Sequence, residues 1–229
     1  MKLYSIHGGN IEDLNNRKYN IGVGISLGNK YFTVENIAGL VQWALEYTKD
    51  GVIIYVADSI HAINIEVRNK MVFEKALLKA NKMGDKVLED AANYFSNNLP
   101  PTDFKKLRFV KWQEIVDGEY KKKTNYLYNF SKKNPAFKTD VLSIVRALVS
   151  KETRKFTEAD IIRLGDYVIE EMPELLNRTN VNGIVCDAYC YPTGGTFSSF
   201  IDKIQAGEIY PEIKQNIIDT EPKVFLEVR

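Results

Sequence analysis

Residues 19–56 constrain this chain most, because they read as a strand, a glycine-punctuated turn, a helix and a second strand. The apolar run Tyr19-Asn-Ile-Gly-Val-Gly-Ile25 suits a buried strand and breaks where Gly24, Ser26, Gly28 and Asn29 cluster. Thr33 is a predicted N-cap for a helix to about Thr48. The helix repeats Ile37, Leu40, Val41, Ala44 and Leu45 as one buried stripe. Val52-Ile-Ile-Tyr-Val56 is continuously apolar and β-branched, as in a strand covered on both faces. Together these make a βαβ unit with a right-handed crossover, hence an α/β fold with a mostly parallel sheet. Ligands of such sheets bind outside the carboxyl ends of the strands. Ser26 stands there, flanked by residues without bulk, and is expected to be a nucleophile that carries an acyl group.

The rest of the chain is read more coarsely. A long helix is expected from about Asn69 to Phe95, with Lys75, Lys79, Lys82 and Lys86 along one outer face. Leu107–Trp112 is a strand candidate, and 113–130 is polar and tyrosine-rich. Helices are expected at 137–150 and 157–172, the second opened by a Thr157/Asp160 capping box. Val181–Cys190 and Val224–Val228 are further strand candidates, with helix-like stretches in 198–218. No repeat, linker or composition step interrupts the sequence, so one domain over 1–229 is expected. A net charge of +1 argues against whole-molecule attraction to nucleic acid but permits a local basic face. Cys186 and Cys190 lack a nearby histidine or a partner pair, which argues against both a metal site and a disulfide framework. With no signal-peptide core and no membrane-length apolar run, the expectation is a soluble, cytoplasmic monomer.

Three patterns carry candidate chemistry. Gly24-Ile-Ser-Leu-Gly28 is a literal G-x-S-x-G, the pattern of a hydrolase elbow. That reading needs a histidine base well downstream, and the two histidines, His7 and His61, stand in the wrong places. The glycine spacing also fails as a dinucleotide fingerprint. Tyr167 and Glu171 lie one turn apart on the 157–172 helix, where a phenol and a carboxylate can grip an ammonium group. Tyr191, before Pro192 at a strand end, belongs on the ligand side of the sheet and can relay a proton if its surroundings help. Each has a bland alternative: a turn, a half-buried tyrosine beside a solvated glutamate, a tethered core hydroxyl.

Taken in order, these pieces resemble the tRNA-dependent cyclodipeptide synthases. The family's Gly-Ile-Ser-x-x-Asn-x-Tyr-Phe is matched by Gly24-Ile-Ser-Leu-Gly-Asn-Lys-Tyr-Phe32. Further matches are Leu40-Val-Gln-Trp43, Ile54-Tyr-Val56, the Tyr167, Glu171 and Pro173 set, and Cys190-Tyr191, so that the likeness runs over about residues 20–195. The resemblance implies a Rossmann-like domain similar to the catalytic domain of class I aminoacyl-tRNA synthetases. It implies no ATP signature, no cofactor and no metal, with two aminoacyl-tRNAs as substrates. Ser26 would accept the first aminoacyl group, Tyr167 and Glu171 would hold its amino group, and Tyr191 would help move protons. Asn29 and Tyr120 would position the aminoacyl moiety, and Lys75 to Lys86 would meet the tRNA. A first side-chain pocket is expected near Gly22, Gly24, Ile54, Val56 and Trp112. The chain departs from the family by combining Asn29 with Tyr191-Pro192. The base for Ser26 is left open between Glu171 and the substrate itself. The rival readings are a synthetase-like tRNA- or nucleotide-binding module without chemistry, and a serine esterase.

Overall fold

The computed structural model describes residues 1–193, 195–219 and 221–229. Its strands in chain order are β1 (Leu3–His7), β2 (Ile21–Ile25), β3 (Val52–Val56), β4 (Leu107–Lys111), β5 (Thr179–Val181), β6 (Ile184–Cys186), β7 (Ala188–Tyr191) and β8 (Val224–Val228). Six form one sheet in the order β1-β8-β7-β2-β3-β4, parallel except for β1 at one edge. β5 and β6 make a separate antiparallel hairpin. The helices are α1 (Ile11–Asn15), α2 (Val34–Tyr47), α3 (Asp58–Asn69), α4 (Phe73–Asn98), α5 (Pro101–Phe104), α6 (Trp112–Ile115), α7 (Gly118–Lys133), α8 (Pro135–Val149), α9 (Glu158–Leu176), α10 (Thr196–Ala206) and α11 (Pro211–Ile217).

The central strands alternate between two cores. Val23, Ile25, Ile54, Val56, Cys190 and Leu226 pack on one face against the stripe of α2 and against Leu88, Ala91 and Phe95 of α4. Each such fully buried aliphatic side chain contributes roughly 1.5–3 kcal/mol. Ile53, Tyr55, Val110 and Tyr189 face the other way, with Trp112, Tyr120 and Tyr167 packed over them. Farther out on that side, α7 to α11 share their own core around Phe137, Ile144, Val168, Met172 and Phe200.

The expected βαβ unit is present, with the second strand at its expected bounds and Thr33 accepting from the Asn36 N–H at 3.3 Å. The helix expected from about Asn69 to Phe95 is α4, and a further helix that was not expected, α3, precedes it. Lys70 at φ 51 closes α3, and α4 begins at Phe73. α3 shows no single apolar stripe because Ile60, Ala62, Ile63, Ile65 and Val67 are buried around much of its circumference. In α7 only Tyr120, Thr124 and Leu127 are buried, a stripe hidden among exposed lysines and polar residues. The single strand expected over Val181–Cys190 is broken by Asn182-Gly183, both at positive φ, the local signature of a tight hairpin. α9 passes through Pro173 to Leu176, beyond its expected end.

Candidate active site

Ser26 follows the last residue of β2, half-buried, where the chain reverses. Asn29 N–H donates to the Ser26 carbonyl at 3.3 Å, and Gly28 holds φ 77 in the third position of that turn. Such a turn requires a residue that tolerates the left-handed region. Tyr191 leaves the end of β7, the neighbouring parallel strand, and its hydroxyl lies 3.0 Å from Ser26 Oγ. From the other side α9 brings Tyr167, whose hydroxyl interacts with both Glu171 and Ser26. The Asn29 side chain interacts with the Tyr191 hydroxyl, and Phe32 packs on the Tyr191 ring at 5.5 Å.

The electrostatics separate the roles. Burial pushes the Tyr167 phenol well above its ordinary value, with the Glu171 charge adding to it. Burial also raises Tyr191, partly opposed by its bonds to Ser26 and Asn29. Both therefore remain protonated donors at neutral pH. Burial pushes Glu171 up to about 8; the charge of Glu174 adds to this and a bond from Tyr167 opposes it. Its carboxyl thus titrates in the working range, as a group that takes up and returns a proton should.

These side chains line a cavity of about 860 Å³. Ser26, Asn29, Tyr167, Glu171 and Tyr191 are all on its wall, as is Lys79. Lys75, Lys79, Lys82 and Lys86 are exposed on α4 and line a shallow groove with Leu78 and Met83. Lys79 and Met83 are common to groove and cavity, so the basic face opens towards the site.

Other expected residues sit elsewhere. Ile54 and Val56 point into the opposite core, because alternation along β3 gives the site face to Ile53, Tyr55 and Ala57. They cannot line a pocket beside Ser26. Trp112 is fully buried on the correct face, behind Tyr55 at a centroid distance of 6.4 Å. Tyr120 is buried too, its hydroxyl donating to the Glu170 carbonyl at 2.6 Å. Gly24 lies under Tyr189, where a Cβ would come within 2.2 Å of the hydroxyl, so only glycine admits that ring.

The sequence reading missed Tyr189, stacked on Tyr191 at 5.8 Å, although period-two spacing from Tyr191 marks it. It missed Glu174, one turn along the face of α9 that carries Glu171. His61 also lines the cavity, held neutral because burial and then Arg68 pull its imidazole down to about 4. His7 is engaged with Asp202 at 2.9 Å and with Ser5 at 3.0 Å. The Ser26 hydroxyl is bonded to a phenol, and no imidazole hydrogen-bonds to it among the described residues. Among those residues no cluster of three or more His, Cys, Asp or Glu side chains could hold a metal ion, and no helix is long and apolar enough to cross a membrane.

No protein of curated function matches the sequence. Solved structures do. A cyclodipeptide synthase from Bacillus thermoamylovorans is 17% identical with a TM-score of 0.74, over 100% of this chain and 96% of that one. A cyclodipeptide synthase from Candidatus Glomeribacter gigasporarum, solved bound to Phe-tRNAPhe, is 14% identical with a TM-score of 0.52, over 92% and 88%. Tyrosyl-tRNA synthetase from Archaeoglobus fulgidus, complexed with L-tyrosine, is also 14% identical with a TM-score of 0.52, over 95% of this chain and 57% of that one. These likenesses give the fold, a Rossmann-like sheet of the class I synthetase type. The family model for cyclodipeptide synthases matches residues 8–212, most of the sequence, and on that match the chain belongs to the cyclodipeptide synthase family.

Proposed function

We propose that this synthase joins the aminoacyl groups of two aminoacyl-tRNAs through covalent esters on Ser26. The observation that carries the reading is the convergence on Ser26 Oγ of two protonated phenols and, through Tyr167, of the Glu171 carboxyl. Ser26 Oγ attacks the ester carbonyl of the first aminoacyl-tRNA; the new Oγ–C bond replaces the bond to the ribose oxygen, which leaves with a proton. Tyr167 and Glu171 hold the substrate ammonium, and proximity supplies much of the rate. The held amine then attacks the second aminoacyl ester, forming one amide and releasing the second tRNA. Finally the new terminal amine attacks the Ser26 ester, closing the ring and restoring the hydroxyl.

Each amine must lose a proton before it attacks. An α-amino group titrates near 8, close to the value of about 8 to which Glu171 is raised. Proton transfer between them is therefore nearly balanced, and Glu171 suits the role of base for the amine. Tyr191, bonded to Ser26 Oγ, is placed to return a proton to that oxygen. Asn29 fixes the Tyr191 hydroxyl, and the lysine face of α4 takes the tRNA backbone, where each neutralised phosphate releases a counterion.

Expression in a bacterium, with mass spectrometry of the medium, tests the reading. A 2,5-diketopiperazine that disappears in Ser26→Ala is expected. No diketopiperazine from the wild type, or an unchanged yield from Ser26→Ala, would contradict it.

A further inference from the structure

Ser26 stands on a central strand, and the cavity leaves it in two directions fixed by the sheet order β8-β7-β2-β3-β4. Beyond β3 it runs past His61 and Arg68 to Lys79, whose side of the molecule carries the basic face. Beyond β7 it ends against Leu175, Tyr189, Gln205, Lys223 and Phe225. An aminoacyl ester on Ser26, with its amine held by α9 and its tRNA arriving from the lysine side, has its side chain directed to this second end.

That end sets two polar side chains, Gln205 and Lys223, among the apolar Leu175 and Phe225. Lys223 and Glu174 are each 1% exposed and form an ion pair, and Lys223 also donates to Thr179 Oγ1 at 3.1 Å. The Gln205 amide nitrogen donates to the carbonyls of Leu175, Leu176 and Lys223, and no described residue donates to its side-chain oxygen. Behind Tyr189, the Tyr55 hydroxyl lies by the Glu174 carboxylate without a hydrogen bond of normal geometry, and the Trp112 indole N–H has no partner among the described residues. The Lys223 ammonium is 5.9 Å from the centroid of the Tyr55 ring. Buried ion pairs and orphaned donors are costly, and aliphatic side chains of similar volume would fill such a pocket more stably. Of these groups Gln205 and Lys223 reach the cavity wall, where a bound group can bring hydrogen bonds of its own.

Resting on the reading of Ser26 as acyl carrier, we infer that the first aminoacyl group has a polar side chain, one with a hydroxyl, amide, imidazole or charged group, and that Gln205 and Lys223, the latter held by Glu174, select it. An aliphatic side chain in the same place would leave the Gln205 oxygen without a donor and the Lys223 ammonium bonded only to Glu174 and Thr179. Sites built to hydrogen-bond a substrate reject analogues lacking the polar group by roughly 10⁴–10⁵ at their best.

The test is the composition of the Ser26-dependent cyclodipeptides made by the wild-type protein supplied with all charged tRNAs. Every major product is expected to contain at least one polar residue. Products drawn only from glycine, alanine, valine, leucine, isoleucine, methionine, proline and phenylalanine would overturn this inference while leaving the acyl-carrier reading intact. No Ser26-dependent product at all would overturn both. The double variant Glu174→Leu/Lys223→Leu, which removes both charges together, is expected to shift the product ratio at least about tenfold towards apolar residues. An unchanged ratio in the folded variant contradicts the assignment of the pair. Should that variant fail to fold, the wild-type product composition decides alone.

Discussion

Glu171 is the residue whose state most affects both stability and chemistry. Its carboxyl is raised from 4.5 to about 8, chiefly by burial. The folded protein therefore keeps a proton that the unfolded chain has already lost, and folding stability falls as pH rises from 4.5 to about 8, then levels off. The whole effect is on the order of a few kcal/mol. Glu171→Gln removes the titration. Its melting temperature relative to wild type is expected to climb between pH 5 and pH 9, while cyclodipeptide formation drops by about 10²-fold or more. A difference in melting temperature that stays constant with pH would show that Glu171 is not held protonated. At this scale the sequence pointed to Ser26, Tyr167, Glu171 and Tyr191, which the fold brings to one cavity, because a turn, an i, i+4 pair and a strand end are local patterns. It was silent on Lys223, which joins Glu174 from 49 positions away, and it misassigned Ile54 and Val56 by the parity of one strand.

Among the elements, α9 holds Tyr167 and Glu171, the pair proposed to grip the substrate amine, and α4 carries the row of exposed lysines. The start of α9 is fixed by reciprocal bonds, Asp160 N–H to Thr157 Oγ1 at 3.2 Å and Thr157 N–H to Asp160 Oδ2 at 2.9 Å. Thr157→Ala is expected to cost about 1 kcal/mol, or roughly 2–4 °C in melting temperature for a chain of this size. Calorimetry showing no change would mean that the cap is dispensable. On α4, replacing Lys75, Lys79, Lys82 and Lys86 with alanine should weaken tRNA binding. The slope of log affinity against log salt should flatten by roughly one unit for each phosphate no longer neutralised. Lys86 already pairs with Asp90 at 3.2 Å and should matter least. A salt slope identical to wild type would place the tRNA on another face. Long amphipathic elements such as α2 and α9 were legible because half of each meets water. α3 was not, since it is buried between α4 and α9, and the β5–β6 turn was written in Asn182-Gly183 but outweighed by the apolar run around it.

For the whole molecule, a parallel sheet brings together chain ends that local patterns cannot relate. β2 and β7 are more than 160 residues apart in sequence and adjacent in space, which sets Tyr191 on Ser26. α9 closes over the same point with its phenol and carboxyl. The proposed mechanism therefore requires a bond formed at Ser26 during turnover. Intact-protein mass spectrometry after brief mixing with charged tRNA measures it directly. The predicted result is a mass increase of one aminoacyl residue, mapped to Ser26, lost in Ser26→Ala and reversed on addition of the second aminoacyl-tRNA. A wild-type protein that releases cyclodipeptide while never acquiring that mass, or that acquires it equally in Ser26→Ala, would contradict the central claim.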